Sequence, residues 1–151
     1  MKKLFLIFGI GLTLSSCTIS GSYYLINNSD QLIKIVLNLN YWNPELNDQS
    51  FIKKGVLPTN KLKYKSYKKL IISEVKLDYV NRSIEFELPE NHVAFIGKGI
   101  NTRISQINQI QITDSDGIKK IDPNDNKTTQ IELGGFGNYV GIINFTKDSK
   151  K

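Results

Sequence analysis

The residue types that most often carry catalysis or bind metals are scarce in this chain. It has one histidine, His92, and one cysteine, Cys17, among 151 residues. The members of a Ser-His-Asp triad meet only in the fold, but the G-x-S-x-G sequence of a nucleophile elbow does not occur. His92 is followed by apolar residues, which favours a histidine at the edge of a strand. The sequence therefore predicts no catalytic residues, and we do not expect an enzyme.

Carboxylates offer two further kinds of chemistry, glycoside hydrolysis and calcium binding. Glu85 and Glu87 alternate with apolar residues, which places them on the solvated side of a strand and does not favour a catalytic pair. In the DPNDNK segment, Asp122, Asn124 and Asn126 occupy the first, third and fifth positions of an EF-hand-like loop. The glycine of the sixth position and the glutamate of the twelfth are missing. These residues are better explained as turns, so no metal and no cofactor are predicted.

The N-terminal residues have the layout of a bacterial secretory signal. Lys2 and Lys3 precede an uncharged apolar run at residues 4–14, and small residues follow. As a helix, a run of this length would cover ~16 Å, about half of a ~30 Å hydrocarbon core. No other stretch approaches the ~18 apolar residues of a transmembrane helix. The chain beyond the signal is therefore predicted to contain no membrane span.

The LSSC segment at residues 14–17 resembles the lipobox of bacterial lipoproteins. The resemblance implies that the signal is cut before Cys17 and that this cysteine carries acyl chains on its sulfur and its new amino group. Two or three chains would make a permanent anchor, since each buried methylene contributes ~0.8 kcal/mol. Thr18 stands where an aspartate retains lipoproteins at an inner membrane, so the resemblance implies an outer membrane. The alternatives are an ordinary small residue after a plain signal, or a free thiol.

The chain divides into a signal and a single domain. We predict a signal peptide at residues 1–16, a lipidated tether at 17–22, a folded domain at 23–147 and a polar tail at 148–151. Removal of the signal takes two lysines and no acid, so the remaining 135 residues carry 18 basic and 14 acidic groups and a formal charge of +4. This size suits one domain with one core, and its lone cysteine allows no internal disulfide.

Alternation of apolar and polar residues predicts β strands along the whole domain, for example at residues 33–41. Turn residues separate the strands at short intervals. This pattern predicts an all-β fold, a single antiparallel β-sandwich, for which an immunoglobulin-like arrangement is the first form to consider. The predicted strands are 23–27, 33–41, 61–65, 75–79, 84–88, 92–97, 107–113, 117–121, 128–133 and 138–146.

A hairpin within residues 71–88 is the clearest local prediction. A turn centred on residues 81–82 would pair Leu77 with Phe86 and place the apolar residues of both strands on one face. The same register would place Asp78 opposite Glu85 on the outer face, at a small electrostatic cost.

Lysines are concentrated in residues 53–76, which contain eight lysines and one acid. Lys61, Lys63 and Lys65 alternate with apolar residues, so a strand there would have one basic face, and Lys68 and Lys69 follow. One interpretation is a patch for an acidic glycan, lipid headgroups or an acidic protein. The other is an edge strand whose lysines prevent aggregation through the sheet edge. The sequence favours the edge strand.

Tyr41 and Trp42 are neighbouring aromatic residues that could stack on sugar rings. Such a pair more often closes one end of a β core. Both interpretations remain open at this point.

These patterns predict a lipid-anchored envelope protein with a noncatalytic role in binding or assembly. Its partners would be the membrane, through acyl chains on Cys17, and an envelope protein or an anionic glycan. Nucleic acid is not expected, because no recognition motif occurs and an exported protein seldom meets it. The alternatives are an envelope hydrolase or glycan-active enzyme, and a structural subunit that pairs through a sheet edge.

Overall fold

The computed structural model describes residues 18–41, 52–57, 62–134 and 138–146. The first six strands are β1 (Ser20–Asn27), β2 (Ile33–Leu39), β3 (Lys53–Gly55), β4 (Ile71–Ile72), β5 (Lys76–Asp78) and β6 (Ser83–Leu88). The next five are β7 (Val93–Ile100), β8 (Ile107–Asp114), β9 (Gly117–Ile121), β10 (Thr129–Leu133) and β11 (Asn138–Phe145). One 3₁₀ helix, Ser66–Lys69, lies between β3 and β4. The all-β prediction is therefore confirmed.

The strands form two sheets. The first has six strands in the order β10-β11-β1-β7-β3-β4, and the second has five in the order β5-β6-β2-β8-β9. Neighbouring strands are antiparallel except β1 and β11, which run parallel from the Ser20–Asn138 pair to the Asn27–Phe145 pair. This parallel pair corrects the expectation of purely antiparallel sheets. No hairpin joins the two strands, because they come from opposite ends of the domain sequence, so no tight turn forces them to be antiparallel.

One apolar core draws side chains from both sheets. Tyr23 and Leu25 of β1 meet Ile35 and Leu37 of β2 in this cluster, and all four are fully buried. Strand β2 alternates between buried and more exposed positions, as its sequence predicts. Strand β1 is different, because its residues from position 21 onward are buried on both faces. The outer face of the first sheet is therefore covered by another part of the chain.

Two tyrosines fill the core at the start of β1. The rings of Tyr23 and Tyr139 lie edge to face with their centroids 5.8 Å apart. Gly21 is the register partner of Tyr139, and Gly141 is the partner of Tyr23. A Cβ atom at either glycine would overlap the ring opposite. Burial raises the pKa of both tyrosine hydroxyls, so they remain neutral at physiological pH.

A buried asparagine joins the two sheets at the other end of β1. The Asn27 side-chain amide donates to the carbonyls of Gln31, at 2.8 Å, and Leu88, at 2.9 Å. Its oxygen accepts from the Ser29 amide at 3.0 Å and from the Ser29 hydroxyl at 2.6 Å. This set of bonds compensates for the burial of a fully enclosed polar side chain.

The hairpin between β5 and β6 forms, but its register differs from the prediction by two residues. Leu77 pairs with Ile84 instead of Phe86, and Asp78 pairs with Ser83. A shift of two residues keeps every side chain on its predicted face. The cause lies in the turn, where the Asp78 carboxylate accepts two backbone amides and the Asn81 side chain. These bonds lower the pKa of Asp78, and the bond from the Asn81 backbone amide has the largest effect. They also close a turn that is longer than the predicted one.

Other strand boundaries also differ from the sequence prediction. Strand β1 begins at Ser20, within the segment predicted to be a tether. Strand β3 is short and lies outside the predicted strands. The short strand β4 lies at the start of the segment predicted as a hairpin, but it pairs with β3. The strand predicted at 61–65 is wrong, because no strand occurs in its described residues, 62–65.

Candidate anion-binding surface

Residues 62–70 cross the outer face of the first sheet, and we call them the strap. Its apolar side chains are Leu62, Tyr67 and Leu70, which belong to a second apolar cluster with Tyr24 of β1 and Phe95 of β7. This cluster explains why the central strands of the first sheet are buried on both faces. The segment fails to form the predicted strand because it lies on top of the sheet instead of along its edge.

Side chains of β1 hold the strap in place. The Tyr24 hydroxyl donates to the Lys63 carbonyl at 3.0 Å and accepts from the Tyr67 amide at 2.9 Å. The Ser22 hydroxyl donates to the Tyr64 carbonyl at 2.7 Å. Burial raises the pKa of Tyr24 to about 12, although the Tyr67 amide opposes part of this rise. The hydroxyl therefore stays protonated and keeps both bonds at physiological pH.

A tight turn and the 3₁₀ helix orient the second half of the strap. The Ser66 hydroxyl accepts from the Lys63 amide at 2.8 Å, and the Ser66 amide donates to the Lys63 carbonyl at 2.9 Å. The Tyr67 ring then stacks on Phe95, with centroids 4.7 Å apart and planes 28° apart. Because Tyr67 faces the sheet, the following Lys68 and Lys69 are exposed to solvent.

The exposed surface of the strap is basic. Lys63, Lys65, Lys68 and Lys69 are all exposed. Within the described part of the chain, no ion pair joins any of these four lysines to a carboxylate. Among the described residues no ion pair compensates these ammonium groups, which gives the strap a positive potential.

Two lysines from the sheet extend this surface. The ammonium groups of Lys53 in β3 and Lys98 in β7 each lie 5.8 Å from the centroid of the Tyr67 ring. At this distance a cation interacts favourably with the face of an aromatic ring. The structure therefore arranges six lysines around the strap, which we call the lysine surface: Lys53, Lys63, Lys65, Lys68, Lys69 and Lys98.

A cleft of about 490 Å³ lies where the strap passes β10 and β11. Leu62, Leu133 and Val140 contribute apolar side chains to it. Lys63 and Lys65 also line this cleft, and so does Glu132, which is its acidic residue. The positive potential is therefore partly offset at this end of the strap and stronger toward Lys68 and Lys69.

The structure brings four of the predicted patch lysines together, whereas Lys61 lies outside the described residues. The alternative of an aggregation-blocking edge strand does not hold for Lys63 and Lys65, since the strap is not at a sheet edge. Sequence reasoning missed Lys98, which has no local signal. It reaches the patch because β7 pairs with β1 and aligns Lys98 with Ser22.

The other candidate residues are not part of the lysine surface or lie outside the described residues. Cys17 and Trp42 lie outside the described residues, so the predicted lipidation site and the predicted aromatic pair stay predictions. Tyr41 is 45% exposed just after β2. His92 Nδ1 lies 2.8 Å from the Glu90 carbonyl oxygen in the turn before β7, which fits a histidine at the edge of a strand.

The predicted turns are confirmed by their hydrogen bonds. Asp122 Oδ1 accepts from the Asn124 amide at 2.8 Å, and Asn124 Oδ1 accepts from the Ile104 amide at 2.9 Å. In the β8–β9 hairpin, Asp114 Oδ1 accepts from the Gly117 amide at 3.1 Å. In the described ranges, no group of three or more His, Cys, Asp or Glu side chains is placed to hold a metal ion.

Comparison with protein-family models, curated proteins and solved structures finds no match for this chain. Among the described residues, no helix is both long and apolar enough to cross a bilayer. A function for the protein therefore rests on the chemistry of its own residues, above all the lysine surface.

Proposed function

We propose that the protein is a lipid-anchored component of a bacterial envelope with a noncatalytic binding role, and that the lysine surface binds anionic groups. The observation that carries this proposal is the set of four exposed strap lysines with no carboxylate partner in the described residues. Lysine groups without local partners attract anions at long range. The resemblance of LSSC to a lipobox supports the anchor.

The proposed destination is an outer membrane, on the ground that Thr18 follows Cys17. There, the partner of the lysine surface would be an anionic group of the envelope. An anionic glycan and an acidic protein surface both present such groups. Because lysine binds anions as a point charge without a fixed geometry, this surface favours clustered negative charge over one particular ligand shape.

We also propose that the domain is a single β-sandwich. The support is the apolar core, which takes side chains from both sheets. An immunoglobulin-like arrangement stays a prediction. The simplest immunoglobulin domains have sheets of four and three strands, whereas this domain has sheets of six and five.

Assembly through a sheet edge has less support. Edge strand β4 exposes Ile71 and Ile72, but it is only two residues long. Edge strand β9 is longer and carries the exposed Lys119 and Lys120, and lysines on an edge oppose pairing with another strand. A glycan-active enzyme gains no support from Glu85, whose carboxylate is bound by Lys34 at 2.9 Å.

The proposal is tested in intact cells in two steps. Intact-mass spectrometry of the protein from membranes should show a chain that begins at Cys17 and carries acyl chains. The Cys17→Ser variant should lack them and should not sediment with membranes as the mature form. An unmodified thiol in the native protein would contradict the anchor.

The second step is chemical cross-linking of the anchored protein, followed by identification of the captured species. Lys68→Glu with Lys69→Glu should reduce capture of the main species at least about threefold, because it reverses charge on the lysine surface. The matched control is Lys120→Glu with Lys127→Glu, which makes the same charge change at exposed sites off the strap. Equal losses in both double variants would contradict a role for the lysine surface.

A further inference from the structure

The strap lies close to the point where the chain leaves the domain toward Cys17. Thr18 precedes Ser22 by four residues, and Ser22 is bonded to the Tyr64 carbonyl of the strap. An extended chain rises ~3.3 Å per residue, so Thr18 lies at most ~13 Å along the chain from this contact. The lysine surface is therefore next to the predicted site of lipid attachment.

The exit point itself is held by the fold. The Ile19 amide donates to Asn101 Oδ1 at 3.1 Å, and the Asn101 amide donates to the Ile19 carbonyl at 2.8 Å. Strand β1 then begins at Ser20. Because only Thr18 separates Ile19 from Cys17, an anchor at Cys17 would leave little free chain. The domain would be kept against the bilayer, where electrostatic attraction to charged headgroups acts at short range.

A domain held this closely can turn one of its two outer faces to the membrane, and these two faces differ in charge. The strap face carries the lysine surface. On the second sheet, Lys34 is paired with Glu85. A cleft of about 420 Å³ beside them is lined by both signs of charge, from Lys34, Lys54, Lys76, Glu74, Glu85 and Glu87. Of the two faces, the strap face therefore carries the larger excess of positive charge and would be attracted more strongly to a negatively charged plane.

The strap also has the composition of a surface that lies at headgroup level. Tyr64 and Tyr67 are partly exposed between the lysines. Tyrosine is favoured at the boundary between membrane and water, because its ring is apolar and its hydroxyl is polar. Clusters of lysine beside a membrane anchor bind anionic lipid surfaces.

We infer that the domain lies with its lysine surface on the anionic phospholipid headgroups of the membrane that holds Cys17. This inference rests on the lipid anchor of the proposed function and names the partner of the lysine surface. The anchor supplies attachment, and the lysines fix orientation. The opposite face, formed by the second sheet, is then turned away from the bilayer and toward other envelope components.

The test uses the lipidated protein reconstituted into two kinds of vesicle, phosphatidylcholine alone and phosphatidylcholine with phosphatidylglycerol. Lysines are labelled with an amine-reactive reagent and located by peptide mass spectrometry. Labelling of Lys63, Lys65, Lys68 and Lys69 should fall at least about threefold in the anionic vesicles and recover at high salt. Lys120 and Lys127, which are exposed away from the strap, should label equally in both.

The Lys68→Glu, Lys69→Glu double variant tests whether the protection of the strap comes from its charge or only from the closeness of the anchored domain to the membrane. In this variant, Lys63 and Lys65 should lose their protection in anionic vesicles, whereas the Lys120→Glu, Lys127→Glu control should keep it. Circular dichroism of both variants should show that each is folded, because the changed residues are exposed.

Three outcomes overturn the inference. Equal labelling of the strap in both vesicles, in protein whose intact mass shows acyl chains, overturns the orientation and leaves the anchor standing. Equal protection by soluble heparin over phosphatidylcholine vesicles makes the strap a site for polyanions in general. A native protein without acyl chains removes the anchor, and with it the proposed function.

Discussion

The outer faces of the two sheets differ in what covers them. On the second sheet, solvent covers the outer face, and charged side chains such as Lys34 and Glu85 neutralise each other at 2.9 Å. On the first sheet, the strap covers the outer face with Leu62, Tyr67 and Leu70, and displays lysines above them. The second sheet needs alternating side chains, whereas the central strands of the first sheet need apolar side chains on both faces.

This difference shows where binding is to be expected on an all-β domain. An outer face with compensated charges attracts a charged partner only weakly. The strap is a separate layer. Its inner residues stabilise the fold, and its outer residues face solvent, so their charge does not affect the packing of the sheet. A surface of one sign can therefore be added to the sheet without placing unpaired charges on the strands themselves.

The largest effect should come from removing an aromatic ring beneath the strap. Phe95→Ala deletes a side chain that is 5% exposed and stacks on Tyr67. We expect a loss of about 3–5 kcal/mol in the free energy of unfolding, measured by urea denaturation, because the cavity would be only partly refilled. A loss below about 1 kcal/mol would show that the strap is not packed on the sheet.

A matched pair of valines compares the two outer faces directly. Val93 in β7 is fully buried beneath the strap, whereas Val36 in β2 is half-buried on the outer face of the second sheet. Val93→Ala should cost about 2 kcal/mol of unfolding free energy, and Val36→Ala less than about 1 kcal/mol. Equal costs in urea denaturation would remove the distinction between a covered and an uncovered face.

The hydrogen bonds that hold the strap should contribute a smaller amount. Tyr24→Phe leaves the Lys63 carbonyl and the Tyr67 amide without their shared partner and should cost about 1–3 kcal/mol. Tyr41→Phe, at a half-exposed site, should change the unfolding free energy by less than about 0.5 kcal/mol. Limited proteolysis should cut the strap faster in Tyr24→Phe, and equal rates in the two variants would contradict the anchoring role.

The same hydroxyl predicts a dependence on pH. The pKa of Tyr24 is about 12 in the folded protein, whereas the ordinary pKa of an exposed tyrosine is 10.0. Between these values the unfolded chain has lost a proton that the folded chain retains, so stability should fall as pH rises from 10 toward 12. Urea denaturation across this range should show a shallower fall for Tyr24→Phe, and identical slopes would contradict the assignment.

The smallest effects should come from the charges. Lys34→Met breaks an ion pair between side chains that are 49% and 32% exposed, so it should cost less than about 1 kcal/mol, and less still in high salt. Lys68→Met on the strap should be neutral or slightly stabilising, because it removes a charge from a cluster of like charges. A clear loss of stability for Lys68→Met would show that a carboxylate partner compensates this lysine.

Much of the fold could be predicted from periodicity. Residues 33–39 alternate because one face of β2 meets the core, and eight further strands coincide largely with predicted ones. The Asp114 and Asp122 turns also follow from sequence, because a short polar side chain can bond the backbone two residues on. These features are local, and local rules suffice for them.

The strap shows why the same rules failed elsewhere. Alternation of Lys63, Tyr64 and Lys65 is compatible with a strand, and only the Ser22 and Tyr24 hydroxyls decide that these backbone groups bond to side chains instead. The observed β5–β6 register differs from the predicted one by two residues for a similar reason, because the periodicity does not show the turn that Asp78 closes. In both cases a few side-chain hydrogen bonds decided between backbone arrangements that share the same sequence pattern.

The sequence by itself determined the strand content, the lysine-rich composition of residues 53–76 and the resemblance of the N-terminal segment to a lipoprotein signal. Tertiary structure alone decided that the lysines would lie over the first sheet, that Lys98 would join them and that β1 would run parallel to β11. Periodicity records which faces are apolar, because burial acts on each strand separately. Which element covers a face depends on contacts between distant residues, and these leave no repeating signal in the chain.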